Sequence, residues 1–464
     1  MVVISRTYAE RLAGIIGEID FDVLSPSDVA VTKRCLLDFL GAAIGGRDED
    51  SSRTVIDWVA ETGGRGESPV FLSGLMVPAH QAAFANGTMA HTIELDDVNA
   101  HCLGHPAVAV IPAVLAVGAA VGATGRTVLT AILSGYEVMG RLGMYLTEDH
   151  YRNWHATSTI GSFGATAGVA KVWGLTDAQL THALGIAGSF ASGLREAFVG
   201  GTSCKHIHAG RAAQNGVVSC ALARRGMTGP ATILDGQMGI QAAMTTRTNP
   251  EALFKPRDAV YEIHHTEFKP YASCRSAHTS VDCMLNLRRG RGIEPDQVER
   301  IDIHTTSIIC GDPSWNCLDP QNSLAARLSI PYNAAAALLD NACTMAQFTP
   351  QRVASSDVGA LLAKIRLIPD ARIDGFYPEV SGARVALVLS DGRTIEEEVL
   401  HPKGHPQYPL SDGDLHEKFM SLAVTQLAPA SARRVAERVG QLEECPDIRQ
   451  LLDLIAPQTI KSTC

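Results

Sequence analysis

The chain reads as mainly α, with a large helical domain interrupted by a smaller α+β domain. Three observations predict this. Ala and Gly are abundant while aromatics make up only 5%, which favours closely packed helices over a β-sandwich. A chain of 464 residues is long for one compact core, so two domains are the prior. Period-two alternation appears only between about residues 298 and 400, and the rest follows helical spacing. The helical domain is therefore placed at 1–267 and completed by 402–464, with 268–401 inserted as an α+β lid.

Residues 7–18 and 27–45 are expected to be helical, the second carrying Val31, Cys35, Leu36, Phe39 and Leu40 on one stripe and ending at Gly45-Gly46. A Gly-rich connection with a possible short strand, Pro69-Val-Phe-Leu, leads to Pro78, which opens a helix from Ala79 to about Glu94. Helices follow near 107–121 and 126–142, then a polar loop from Glu148 to His155. Thr157-Ser158-Thr159 reads as the cap of a helix reaching Val172, and Thr176 as the cap of one over 176–194. Thr202 or Ser203 caps a helix to about Arg225, and Ser273 one to about Arg289. Strands are expected at Val298–Thr306, Lys364–Ile368, Ala383–Leu389 and Thr394–Leu400, with helices near 323–339 and 350–363 between them. From about 411 helix returns, with Asp412 or Asp414 as cap and Ser431 and Asp447 opening later helices.

Composition excludes several classes of partner. Net charge is −10 with no basic block, which excludes nucleic acid. The most apolar run, Ala107 to Ala123, contains Pro112, Gly118 and Gly122 and falls short of the ~20 residues of a membrane span. Eleven cysteines without a C-x-x-C pair, and a start without a signal peptide, read as reduced thiols in the cytoplasm.

Between two Ala-rich helices lies a polar island, His91-Thr-Ile-Glu94-Leu-Asp96-Asp97-Val-Asn99-Ala-His101-Cys-Leu-Gly104-His105-Pro106. Proline suits the first helical position, so His105 falls at the N-cap of the next helix. There the helix dipole lowers an imidazole's pKa and attracts anions, as a proton carrier beside an anion site requires. His155, Lys205 and Arg275 share this address at or just before a helix start. If the four starts converge, they form a cationic pocket for a small polycarboxylate or phosphate. Glu94 and Asp97 would share one face if the helix persists, and could orient imidazoles, hold a metal or act as acid and base. A metal cage from His91, Glu94, His101 and His105 fits no tight zinc spacing, so no metal is expected. Cys274 is either a nucleophile with its pKa lowered by a helix start or packing. His278, one turn beyond Cys274, supports that site or belongs to the core, and one of His206 and His208 can face the pocket. His264, His265, His304, His401 and His405 read as surface or satisfied structural residues.

The chain resembles the MmgE/PrpD family through several pieces in order along most of its length. These are Asn86-Gly-Thr-Met-Ala-His91 through Gly104-His105-Pro106, Trp154-His155-Ala-Thr157, Lys205-His206-Ile-His208-Ala-Gly210-Arg211, Lys269-Pro270-Tyr271 to His278, and Leu328-Ser329-Ile-Pro331-Tyr332. The resemblance implies a homodimer, catalysis without metal or organic cofactor, and an active site between the domains. By motif match its acid/base and carboxylate-binding positions fall on Glu94, Asp97, His105, His155, Lys205, Tyr271, Cys274, Arg275 and Tyr332. The expected activity is a hydro-lyase of the 2-methylcitrate dehydratase kind acting on a hydroxy di- or tricarboxylate. An epimerase of the iminodisuccinate kind or a decarboxylase is the alternative, and a non-catalytic carboxylate binder the reading from another class. In the hydro-lyase reading His105 is acid/base at the α-carbon, and Lys205, Arg275 and His155 bind carboxylates. Glu94 or Asp97 sets the imidazole tautomer, and Tyr271 or Tyr332 assists proton transfer.

Overall fold

The computed structural model describes residues 6–256, 260–377 and 380–457; Cys464 and the first five residues lie outside them. Among the described residues, nine helices build the first half: α1 Tyr8–Gly17, α2 Pro26–Gly45, α3 Asp50–Thr62, α4 Ala79–His91, α5 Pro106–Val121, α6 Gly125–His150, α7 Ala156–Trp173, α8 Asp177–Phe190 and α9 Cys204–Ala223. Their starts follow local chemistry. Thr7 with Glu10, Ser25 with Asp28 and Thr176 with Gln179 form reciprocal capping boxes, satisfying amides that have no intrahelical acceptor. α5 is buried on nearly every face, as a helix apolar all round must be.

Small residues set the spacing of these helices. A Cβ on Gly210 of α9 would lie 2.2 Å from the Phe84 carbonyl oxygen of α4. A Cβ on Gly87 of α4 would lie 2.8 Å from the Val108 carbonyl oxygen of α5. That carbonyl is the one Pro112, lacking an N–H, leaves without its helical partner. α4 therefore lies in contact with both neighbours, and its C-terminal end reaches the first turn of α9.

The α+β part carries α10 His278–Gly290, α11 Ile330–Asp340 and a four-stranded sheet of β1 Val298–Thr305, β2 Ile365–Pro369, β3 Ala383–Leu389 and β4 Thr394–Val399. Sheet order is β2-β1-β3-β4, with β1 and β2 parallel and the other pairs antiparallel. Ile301 faces Ile365 on one side and Leu387 on the other, so the central strand is apolar. Edge strand β4 carries Glu396, Glu397 and Glu398, charges that discourage pairing with another edge. α12 Asp412–Ala423 and α13 Pro429–Gly440 return to the helical core, α12 opening at a Ser411–Asp414 capping box.

Several boundaries depart from the sequence reading. The cap of α7 is His155 rather than the Thr157–Thr159 run, and α4 ends at His91 instead of continuing to Glu94. α6 runs on to His150 through a non-helical Thr147 (φ 61°, ψ 176°). The helix expected over 323–339 is broken at Ser329, which ends one segment and caps the next by accepting from the Tyr332 N–H. No helix among the described residues is long and apolar enough to cross a membrane.

The described residues form two large buried apolar clusters. One joins α1–α9 to residues 410–455; the other fills the α+β part. Ile93 and Leu95 belong to the second cluster, although the helix that delivers them belongs to the first. The polar island thus lies on the seam between two cores.

Candidate active site

Beyond His91 the chain leaves the helical conformation and alternates. Ile93 and Leu95 enter the α+β core, whereas Glu94 and Asp96 turn to the other side and meet charge. Glu94 takes φ +56°, a left-handed value costly for a branched-chain-sized residue and typical of functional sites when the surroundings enforce it. Enforcement comes from two buried lysines. Lys205 Nζ pairs with Glu94 Oε1, while Lys269 Nζ lies 3.2 Å from the Glu94 carbonyl oxygen and 3.4 Å from Oε2. Arg327 Nη1 donates to the Thr92 carbonyl at 2.7 Å, anchoring the start of the turn.

Asp96 is wholly buried, and its Oδ2 lies 2.9 Å from His91 Nδ1 and 3.1 Å from His105 Nδ1. Its Oδ1 lies 3.6 Å from Lys269 Nζ. Burial pushes this carboxyl up, but Lys269, His105 and His91 outweigh burial and hold it well below the usual carboxylate range. Glu94 behaves alike: burial opposes ionisation, and Lys205 with Lys269 overcomes it. Lys269 is raised in turn, its two carboxylates outweighing burial.

These contacts assign protons. His105 Nδ1 lies 2.7 Å from the Asp97 carbonyl oxygen; a carbonyl can only accept, so Nδ1 carries a hydrogen. His91 likewise gives Nδ1–H to the ionised Asp96 and accepts at Nε2 from Lys205 Nζ, 3.0 Å away. Burial first and Lys205 second push His91 down to about 4. His155 stacks near it at 5.8 Å between ring centres, bonds His208 Nδ1 to Nδ1 at 3.0 Å, and leaves Nε2 buried without a partner. Burial, with Lys205 and His208 nearby, keeps His155 neutral. Burial holds His206 at about 3 and His208 at about 4. The result is a set of neutral imidazoles around two ammonium–carboxylate pairs.

Three of the four predicted basic residues converge here: His105 and His155 as N-caps of α5 and α7, and Lys205 in the first turn of α9. Thr157 in the first turn of α7 accepts the His105 N–H at 3.1 Å, tying two of those starts together. The fourth does not join them in the expected way. Arg275 sits on a short 3-10 turn, not a helix start, and its guanidinium is held by Glu267 at 2.9 and 3.0 Å and by Ser381. The pocket is accordingly not a cluster of free cations, because Glu94 neutralises Lys205 and Glu267 neutralises Arg275.

Asp97 also departs from expectation. Its Oδ1 accepts the Ala107 N–H at 3.0 Å and its Oδ2 the Tyr136 hydroxyl at 2.7 Å, so its side chain caps α5 while only its carbonyl reaches His105. Burial pushes its carboxyl up to about 8. The Tyr271 hydroxyl donates to Asp282, the Tyr332 hydroxyl to the Gln347 carbonyl at 2.5 Å, and His278 Nε2 lies 3.2 Å from the Ser273 carbonyl. Cys274 is half-buried and gives its backbone N–H to the Arg327 carbonyl. These four residues serve the α+β part and its junction; none is hydrogen-bonded to the imidazole cluster.

Sequence reasoning overlooked Asp96, Lys269 and Arg327 as site residues and weighed His91 only as a metal ligand. A signal existed for the first: Ile93, Glu94, Leu95 and Asp96 alternate, and period two places Glu94 with Asp96 rather than with Asp97. Nothing local marks Lys269 as buried. His91, Asp96 and His105 are close enough to offer one metal ligand each, yet the His91 Nδ1 proton points at the carboxylate, the His105 Nδ1 proton at the Asp97 carbonyl, and Lys269 stands beside Asp96, so the trio as built holds protons. His206, whose ring lies 6.5 Å from that of His91, lines a cleft of about 710 Å³ together with Ser203, Asn322 and Arg327, which brings solvent to the edge of the cluster.

Comparison with known proteins places this arrangement. The chain is 29% identical to cis-aconitate decarboxylase of Mus musculus over 470 residues, covering 96% of this chain and 93% of that protein. It is 28% identical to the cis-aconitate decarboxylase of Homo sapiens, with 99% and 96% covered, and 27% identical to that of Aspergillus terreus, with 81% and 80% covered. The family models for the MmgE/PrpD N-terminal domain and the MmgE/PrpD C-terminal domain match residues 10–253 and 271–444. With both halves matched in order, the chain belongs to the MmgE/PrpD family.

Proposed function

We propose that the protein is a lyase acting on a small di- or tricarboxylate by proton transfer at the carbon next to a carboxylate, using its own side chains as acid and base. One observation carries the reading: the Asp97 carbonyl and the Asp96 carboxylate hold His105 with Nδ1 protonated and Nε2 free. An imidazole held through its Nδ1–H, with Nε2 left unbonded, is suited to general acid/base work. The ammonium groups and the buried imidazole N–H donors stabilise negative charge that spreads into the substrate carboxylate.

In the hydro-lyase reading, His105 Nε2 takes the α-proton, the C–O bond to the neighbouring hydroxyl breaks, and the Lys205 ammonium supplies the proton with which water leaves. A double bond forms and one water is lost. The names of the relatives favour a second reading, decarboxylation of a cis-aconitate-like tricarboxylate. There the C–C bond to a carboxylate breaks, carbon dioxide leaves, and the electron pair at the α-carbon takes a proton from His105 in its protonated form. Both reactions need the same imidazole in opposite starting states.

Incubating candidate hydroxy and unsaturated di- and tricarboxylates in deuterated water, followed by NMR and carbon dioxide release, tests both. Water loss with a new ultraviolet-absorbing double bond supports the first, and gas release with deuterium at the α-carbon the second. Deuterium exchange with inversion and no bond cleavage would make the protein an epimerase instead. Binding of these acids without any conversion would refute catalysis, and His105→Ala should abolish whichever reaction appears.

A further inference from the structure

The loop that leads into His105 carries an imidazole that the proposed reaction does not use. His101 Nδ1 lies 2.7 Å from Glu262 Oε2, and its ring centre lies 4.1 Å from that of His265. One ligand atom from each of His101, Glu262 and His265 falls within 4.8 Å of the others. Glu262 and His265 are the first and last residues of the 3-10 turn Glu262–His265, where side chains three apart eclipse one another and so share a face.

The charge at this place is unusual. Glu262 is wholly buried, and a buried carboxylate needs a cation. Its cation is Lys255, whose side chain is 35% exposed and reaches Glu262 Oε1 at 2.5 Å. A flexible, half-exposed ammonium is a partner that can swing back into water. His101 is itself 25% exposed, which opens the cluster to solvent.

We propose that His101, Glu262 and His265 form a binding site for a divalent transition metal ion such as Zn²⁺ or Co²⁺, entered by displacing Lys255. Two imidazole nitrogens and one carboxylate oxygen suit first-row metals, whereas Ca²⁺ and Mg²⁺ prefer oxygen shells. Metal–ligand bonds near 2.0 Å at tetrahedral angles require ligand atoms roughly 3.3 Å apart. The 2.7 Å contact between His101 and Glu262 therefore opens by about half an ångström on binding. Position gives the site a consequence. Asn99 Nδ2 donates to the Glu262 carbonyl at 2.8 Å, and Val98–Asn99 pairs with Thr266–Glu267, so these two segments already run together. One continues to His105 and the other to Lys269. An ion between His101 and His265 braces the two strands of chain that deliver those residues, tying metal supply to the rigidity of the active site.

The test is titration of the metal-stripped full chain with Co²⁺, read by visible absorption and melting temperature. Saturation at one equivalent with a rise in melting temperature is expected. His101→Ala and His265→Ala should each weaken binding at least about tenfold, and Lys255→Met, at a half-exposed position, should tighten it by removing the competing cation. Absence of saturable binding overturns the proposal. So does binding unchanged in His101→Ala and His265→Ala but lost in His91→Ala, which would locate the ion at the other imidazole pair, and so does a Lys255→Met protein that binds no more tightly than the parent.

Discussion

Asp96→Asn removes one charge and almost no volume, and its effect can be worked from three distances. Around this wholly buried carboxylate stand His91 Nδ1 at 2.9 Å, His105 Nδ1 at 3.1 Å and Lys269 Nζ at 3.6 Å. All three are donors. The carboxylate accepts from His91 and attracts the other two by its charge, whereas an amide is uncharged, has a single oxygen and must aim its NH₂ at one of them. His105 keeps the Asp97 carbonyl, so its ring stays oriented, but the imidazolium that forms when it takes a proton loses its counter-charge. A buried carboxylate behind a catalytic imidazole is worth about 10³- to 10⁴-fold in kcat, or about 4 to 5 kcal/mol of barrier. Lys269 retains Glu94, so the stability cost should stay below the roughly 3–5 kcal/mol of a fully orphaned buried charge. The assay is kcat and KM on the acid that the protein converts, with a melting curve for each variant. The expected result is a kcat lower by about 10³-fold, with KM little changed and a folded protein. A kcat within about tenfold of the parent would refute the assignment of Asp96 as the group behind both imidazoles.

Acid should destabilise the fold in a defined window. His91 and His208 are held at about 4 and His206 at about 3, chiefly by burial, against an ordinary 6.5. The unfolded chain therefore binds more protons below 6.5, and stability is full above that value and lost as pH falls toward 4. His91 alone accounts for up to about 3 kcal/mol; urea midpoints that stay level from neutrality down to this range would contradict it. Gly210→Ala places a methyl 2.2 Å from the Phe84 carbonyl oxygen and 2.4 Å from Thr88 Oγ1. It should cost about 1–3 kcal/mol in chemical denaturation and lower kcat by moving Lys205 off His91. Tyr332→Phe loses only a hydrogen bond to the Gln347 carbonyl, about 1 kcal/mol, and should leave kcat unchanged; a large loss would bring Tyr332 into the reaction.

Much of this molecule was legible in the chain itself, because local rules decide much of it. Pro106 dictates where α5 begins and hence that His105 is its N-cap. Ser203 and Cys204 open α9 and so put Lys205 in its first turn. Alternation over 298–305 and 383–389 marks strands that are present at those residues. Each of these depends on neighbours within a few positions, and steric and capping preferences act over that range.

What local rules cannot decide is which charged groups share a buried space. Lys269 and Glu94 are 175 residues apart, yet they lie within hydrogen-bond reach because α4, α9 and the entry to the α+β part meet at one seam. Arg275 has the same sequence credentials as Lys205, but a glutamate brought beside it by strand pairing takes its charge. Asp97 and Asp96 differ by one position in an extended turn, and one residue of offset sends one carboxylate to the helix cap and the other to the imidazoles. The sequence by itself determined the elements, the helix starts and the family of side chains available for acid/base work. Only tertiary structure decided which of them are paired, which keep a free nitrogen, and where the protons sit, because Coulomb and desolvation energies in a buried site depend on distances that local sequence does not set.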